Sequence, residues 1–197
     1  MVAVSQRWRP VRWLGACCWG ALLLAAATLA AAAEIDGAAS HAGFSLQTRW
    51  GQTLQGRFPS VRGEVDTLAD GRRRVRLELA TGDVEILGHP GYTRFTRGQG
   101  FFAAARWPQV EFLSDPYPPA LLQHGGTLGG SLRIRGIARH TVFLIEPATC
   151  ARPGRDCDVV AGGRIRRSDF DMGRWRVAIS EEVAFALRIR LRADGGA

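Results

Sequence analysis

Apolar and polar residues alternate one by one over most of this chain, the signature of strands with one dry face and one wet face. The clearest case lies in residues 125–146, where Leu128, Leu132 and Ile134 share one parity and Arg133 and Arg135 the other. A break at Gly136-Ile137-Ala138-Arg139 precedes a second β-rich run, 141–145, so the two runs read as an antiparallel hairpin. Val142 and Leu144 are as apolar as Phe143 and Ile145, so this second strand is expected to be covered on both faces, with Phe143 pointing in. Ala42, Phe44, Leu46 and Trp50 repeat the pattern upstream. Leu54 and Phe58 continue it to Val61 and Val65, with a parity slip at Pro59 that marks a bulge or an edge. Further strands are carried by Val75, Leu77 and Leu79, by Val110 and Phe112, by Val159, Ala161 and Ile165, and by Val183, Phe185, Leu187, Ile189 and Leu191.

Between these runs the period fails. His89-Pro90 and several glycines in 88–105 leave room for only a short helix, and Asp115-Pro116-Tyr117-Pro118-Pro119 cannot serve a sheet interior. The count is eight strands, with no amphipathic helix long enough to cover a sheet. Short connections favour antiparallel pairing, and closing the sheet on itself removes its exposed edges. The fold expected is all-β: one eight-stranded antiparallel barrel with short connecting helices, forming a single domain over residues 34–197.

The first 33 residues do not share this pattern. Arg7, Arg9 and Arg12 open the chain, an apolar run follows from Leu14, and Ala31-Ala32-Ala33 closes it. This order describes a secretory signal peptide, expected to be cleaved after Ala33. The rival is an uncleaved membrane anchor, since roughly 20 apolar residues can cross a bilayer. Cys17 and Cys18 leave with a cleaved signal, and the remaining Cys150 and Cys157 are expected to form a disulfide, as an even count in an exported protein favours. The expected location is the periplasm.

Composition changes this picture little. The formal charge is +8, and every basic residue is arginine. Arginines spaced as alternate residues, such as Arg188, Arg190 and Arg192, suit a solvated outer sheet face rather than a nucleic-acid groove, while contact with an anionic membrane surface stays open. His41, His89, His124 and His140 stand far apart without metal-ligand spacing, so neither a metal nor a cofactor is expected. Gly125-Gly126 and Gly129-Gly130 precede a strand, which offers no helix N-terminus for a phosphate. No catalytic constellation stands out.

Aromatic density on the inward parity does stand out: Phe44, Trp50, Phe58, Phe112, Phe143 and Phe185. A solid core explains it, and so does a cavity for a long apolar molecule.

Several short motifs, in order, resemble the YceI-like family of polyisoprenoid-binding proteins. Ile35-Asp36, Ser40 and Phe44 resemble its first strand, and Gly56-Arg57-Phe58 with Gly63 its second. Phe101-Phe102, Trp107-Pro108 and Val110-Glu111-Phe112 are similar to a further block. Leu128-x-Gly130-x-Leu132-x-Ile134-Arg135-Gly136 resembles its hairpin, and 167–172 its Arg-Ser-Asp-Phe-Gly-Met motif. Three positions depart: Ala39 stands where the family often has His, Ala103 where Asp is frequent, and Asp171 where Gly is usual. The resemblance implies an exported lipocalin-like barrel that holds a polyisoprenoid or similar long-chain amphiphile and breaks no bond. Phe44, Phe58, Phe112, Leu132, Phe143 and Phe185 would then contact the tail, while Phe101, Phe102, Phe170 and Met172 would close the mouth or plug an end. Two rivals stand beside it. One is a packed structural or interaction barrel at the cell envelope with no ligand. The other is an enzyme, which requires His41 or His140 to meet a carboxylate.

Overall fold

The computed structural model describes residues 32–193, so the expected signal segment lies outside the described residues except for Ala32 and Ala33. One antiparallel sheet contains every strand. The strands are β1 (Ala33–Glu34), β2 (His41–Thr48), β3 (Thr53–Phe58), β4 (Val61–Thr67), β5 (Arg73–Ala80), β6 (Glu85–Ile86), β7 (Gln109–Ser114), β8 (Gly126–Ile134), β9 (Ile137–Ile145), β10 (Val159–Arg166) and β11 (Ile179–Ile189). Two short helices, α1 (Pro90–Arg97) and α2 (Ala120–His124), and a 3-10 turn (Arg167–Phe170) complete it. The spatial order is β1-β4-β5-β7-β8-β9-β10-β11-β2-β3-β6.

The strand count corrects the expectation from eight to eleven. Two of the additions, β1 and β6, are two-residue pieces, and the third arises because the run 54–67 breaks at Pro59-Ser60 into β3 and β4. Proline has no N–H for the ladder, so the chain turns a corner there. The barrel is correspondingly a curled sheet rather than a ladder closed all round. Its terminal strands β1 and β6 do not pair, and the curl is drawn together by an isolated bridge between Ile35 and Leu191. Ile35 also donates its N–H to Gly63 O (2.8 Å), and Arg192 N–H reaches Glu34 O (2.8 Å).

The hairpin of 125–146 is tighter than its sequence suggests. β9 begins at Ile137, leaving only Arg135 and Gly136 in the turn, both at positive φ (52° and 76°). Two such residues in a two-residue loop match the twist of the flanking strands. Phe143 points in and is buried, but Val142 and Leu144 are exposed on an uncovered outer face, against the expectation that both faces would be covered. Trp50 is a second correction. It sits in the turn after β2, past the last inward residue Leu46, and is 80% exposed.

Inside the curl, each strand contributes its alternate residues to one core. Large rings fit because glycines face them. A Cβ on Gly56 would lie 2.2 Å from the Phe44 ring, one on Gly130 2.6 Å from Phe112, and one on Gly163 2.6 Å from Phe143. Each ring therefore lies on bare backbone of an adjacent or nearby strand. Phe44, Phe58, Phe102 and Phe185 form one ring cluster with centroids 5.5–6.4 Å apart, and Phe112 and Phe143 meet edge to face at 5.0 Å.

Two devices hold the ends. At one end Cys150 and Cys157 are disulfide-bonded, as expected, across a loop whose Gly154 O accepts from Leu191 N–H, two residues past β11 (2.7 Å). At the other, the Arg167 guanidinium is almost completely buried. Its Nε donates to Ser180 O (2.8 Å), its Nη1 to Met172 O (2.6 Å) and Arg174 O (3.1 Å), and its Nη2 to Ile179 O (3.2 Å). Burial pulls its pKa below the ordinary arginine value, opposed by the Glu181 carboxylate.

Two stability predictions result. Arg167→Met leaves four carbonyls without their charged donor and is expected to cost at least about 3 kcal/mol in urea unfolding. Arg167→Lys should not restore it, because an ammonium has three donors and no planar fork. A loss within about 0.5 kcal/mol, typical of a neutral surface change, would show that the carbonyl cage is not what holds this end. The double variant Cys150→Ser/Cys157→Ser should lose about 2–3 kcal/mol, the loop-closure contribution of so short a ring. Reductant should lower the stability of the native chain, not of the variant.

Candidate functional site

The ends of the curled sheet differ in chemistry. One, here the mouth, is bordered by α2, the disulfide loop and Tyr117. It opens on an apolar cavity of about 80 Å³. Leu77, Phe112, Leu128, Phe143, Ala161 and Leu187 form part of its wall, and Pro153 and Gly154 bring the disulfide loop to its edge. Arg73 and Tyr117 are the polar side chains on this lining, joined through their backbones by reciprocal 2.8 Å hydrogen bonds. Burial raises the Tyr117 phenol above its usual pKa, with the Arg73 charge opposing.

The other end is closed by α1, the loop 98–107, the 3-10 turn and the loop 171–178. Beneath this plug remains only about 20 Å³, bordered by Phe44, Phe101, Phe102, Met172 and Phe185 among others. Outside the plug runs an open polar groove of about 920 Å³, lined by arginines.

The ten residues assigned to a ligand are all buried. Phe112 and Phe143 line the mouth cavity, whereas Phe44, Phe101, Phe102, Met172 and Phe185 border the small void under the plug. Phe58, Leu132 and Phe170 border neither and pack in the core. Phe101, Phe102, Phe170 and Met172 all sit at the closed end. Periodicity missed Arg73, Tyr117, Leu122 and the loop residues Pro153 and Gly154 at the mouth. Tyr117 lies inside a proline cluster, and nothing in the strand pattern points a loop residue into a barrel.

Two of the three departures from the family motif have a backbone explanation. Asp171 adopts the left-handed conformation (φ 54°, ψ 33°), which glycine takes freely and Asp tolerates. Its carboxylate then accepts a hydrogen bond from Arg135 Nη2 (2.9 Å). Ala103 is also at positive φ (48°), a region where Asp is enriched over Ala. Ser40 is a latch. Its hydroxyl donates to Arg190 O (3.3 Å) and accepts from Arg190 N–H (2.9 Å).

His140 does meet a carboxylate: Nε2 lies 3.1 Å from Asp115 Oδ2. Both side chains are well exposed on the outer face of β8–β9, away from either cavity. Among the described residues no group of three His, Cys, Asp or Glu is placed to hold a metal.

Solved structures with the same fold include BcnA of Burkholderia cenocepacia, at 20% identity and a TM-score of 0.66, covering 81% of this chain and 99% of that one. A polyisoprenoid-binding domain from Saccharophagus degradans, implicated in plant cell wall breakdown, matches at 15% identity and 0.61, covering 83% and 99%. A Campylobacter jejuni YceI protein matches at 18% and 0.56, covering 71% and 85%. No curated protein matches the chain. The model of the YceI-like domain matches residues 34–191, nearly the whole of the β-sheet unit, and this chain belongs to the YceI-like family.

Proposed function

We propose that this chain is an exported binding protein that takes the apolar tail of a polyisoprenoid, or a similar long-chain amphiphile, into the mouth of its curled sheet. The observation that carries the reading is the mouth cavity, whose wall is almost wholly apolar and is bordered by Arg73 and Tyr117. A dry wall of this kind suits the chain of an amphiphile, whose head would stay at the opening. Family membership and the polyisoprenoid-binding neighbour support the ligand class. The disulfide and the N-terminal basic-then-apolar pattern support a periplasmic location.

The cavity volume also favours a second reading. Small-molecule sites measure roughly 300–1,000 Å³, well above the 80 Å³ present. A barrel packed for structure or interaction needs no more space than this. The two readings differ in whether the rings behind the mouth give way to a ligand.

Lipid extraction and mass spectrometry of the purified chain, before and after incubation with a C40 polyprenol, separate them. Co-purifying polyprenol is expected, and Ala161→Phe, which fills the cavity from β10, should abolish it while leaving the far-ultraviolet circular dichroism unchanged. Polyprenol uptake that survives Ala161→Phe would move the site away from the mouth. A chain that takes up no polyprenol in either form would leave the packed barrel.

A further inference from the structure

The closed end carries more exposed apolar and unpaired basic surface than a plug requires. On the outer sheet many arginines have carboxylate partners, such as Arg57 with Glu85, Arg133 with Glu111, Arg164 with Glu182 and Arg192 with Glu34. The groove outside the plug is different. Five arginines line it, Arg97, Arg106, Arg135, Arg174 and Arg176; Arg135 pairs with Asp171 (2.9 Å) and Arg176 lies 3.7 Å from Glu181, which leaves the other three without a carboxylate partner among the described residues. Arg106 lies over the Trp107 ring at 5.1 Å, and Arg174 reaches into a second shallow depression shared with Phe95 and Trp175. Three of the five are fixed by the fold through carbonyls. Arg97 donates to Val84 O, Arg176 to Gly173 O, and Arg135 to Gln99 O and Phe101 O.

An exposed apolar rim continues from the groove. Val177 and Trp50 are 86% and 80% exposed, and Trp175 and Phe95 are exposed with them. They form one surface. Arg49 N–H bonds Ala178 O (2.9 Å), which brings the Trp50 turn against the Val177 loop, and the Trp175 and Phe95 rings meet at 5.1 Å. Scattered exposed hydrophobics are ordinary, but several joined at one end mark a surface that is covered in use. Every non-glycine residue at positive φ among the described residues also lies here: Ala103, Arg135, Asp171 and Trp175. Arg135 takes this conformation in the tight β8–β9 turn and Asp171 at the end of the 3-10 turn, while Ala103 and Trp175 hold it in the loops.

We infer that this end is a docking face for an anionic phospholipid surface, with the arginine groove taking headgroup phosphates and the Trp50, Trp175 and Val177 rim lying in the interfacial layer. Charge complementarity selects the occupant. Guanidinium forks match phosphate geometry, and tryptophan and tyrosine settle at the headgroup level. A neutral protein partner would bury Arg97, Arg106 and Arg174 with no carboxylate to pair them, whereas a lipid surface supplies phosphates for all three. The inference is independent of what the mouth binds.

The test is amide hydrogen exchange of the full chain, read by mass spectrometry, with phosphatidylglycerol-containing vesicles and with phosphatidylcholine vesicles. Reading exchange segment by segment separates this face from any binding by residues 1–33. Slowed exchange is expected in 91–106 and 171–178 on the anionic vesicles only, with 117–124 and 150–158 unchanged. Arg106→Gln and Arg174→Gln, both at exposed positions, should each weaken vesicle affinity roughly fivefold, and 1 M salt should remove the protection as the screening length falls to about 3 Å. Trp50→Ser/Val177→Ser should weaken it without changing the salt dependence. Four results would overturn the inference: equal protection on phosphatidylcholine; unchanged exchange at this end while the chain floats with the vesicles; the same protection from inorganic pyrophosphate alone, which indicates a small-anion site; or protection without vesicles that grows with protein concentration, which indicates a second copy.

Discussion

The fit of inward phenylalanine rings onto inward glycines sets the interior of this protein. A curled sheet of this size encloses room for side chains or for a small ligand, and which of the two prevails depends on the volume the walls take up. Here Gly56, Gly130 and Gly163 remove three side chains from the wall, and Phe44, Phe112 and Phe143 occupy the space. The exchange keeps the interior dense while concentrating its volume in a few large flat groups. Flat rings packed edge to face can turn as units, unlike interlocked branched aliphatics. The wall is therefore full, but its filling lies in few hands.

Arg167 imposes the complementary constraint on the closed end. A charge buried without a carboxylate partner hydrogen-bonded to it is costly, and the cost is met here by four backbone carbonyls from 172–180. Met172 O and Arg174 O belong to an irregular loop and Ile179 O and Ser180 O to the first residues of β11, and the guanidinium satisfies all four where Met172 and Phe170 are buried. The guanidinium thus ties the 3-10 turn, the following loop and the start of β11 into one lid. With Phe101 lying against its face at 5.4 Å, the lid is joined to the loop from α1 as well. Access by this end would break the whole set, so the mouth is the cheaper route inward.

Most of the strands were legible in the sequence because their inward and outward parities differ so sharply, as in Leu132 and Ile134 against Arg133 and Arg135. The failures fall where another rule overrides parity. Trp50 continues the parity of β2 but stands in a turn, where alternation carries no information about facing. Pro59 splits one run into two strands because it has no N–H to give the ladder. Val142 and Leu144 look like core by composition, yet the sheet has no second layer to cover them. The glycine seats were invisible as such, since in sequence a glycine beneath a ring is indistinguishable from one that permits a turn. The mouth was hidden for a related reason: Tyr117, Pro153 and Gly154 reach the cavity through loops, whose direction no periodicity encodes.

Energetics bear on whether the full interior can still admit a chain. The present 80 Å³ holds about two or three water-sized groups, so the first carbons of a tail require no rearrangement. Beyond them the Phe112–Phe143 pair stands in the way, then the cluster of Phe44, Phe58, Phe102 and Phe185. Each ring pair contributes roughly 0.5–1.5 kcal/mol beyond its burial. Each methylene brought out of water returns about 0.8 kcal/mol. Two methylenes therefore offset one ring contact, and a tail of about ten carbons would gain some 8 kcal/mol, more than the approximate 5 kcal/mol held in the five pairs. The rings would also stay covered, since the tail replaces the neighbours they lose. A short chain gains too little to move the deeper cluster once the cost of ordering it is included. The packing thus disfavours small apolar molecules more strongly than long ones. That asymmetry is what the proposed long-chain ligand requires of a core this dense.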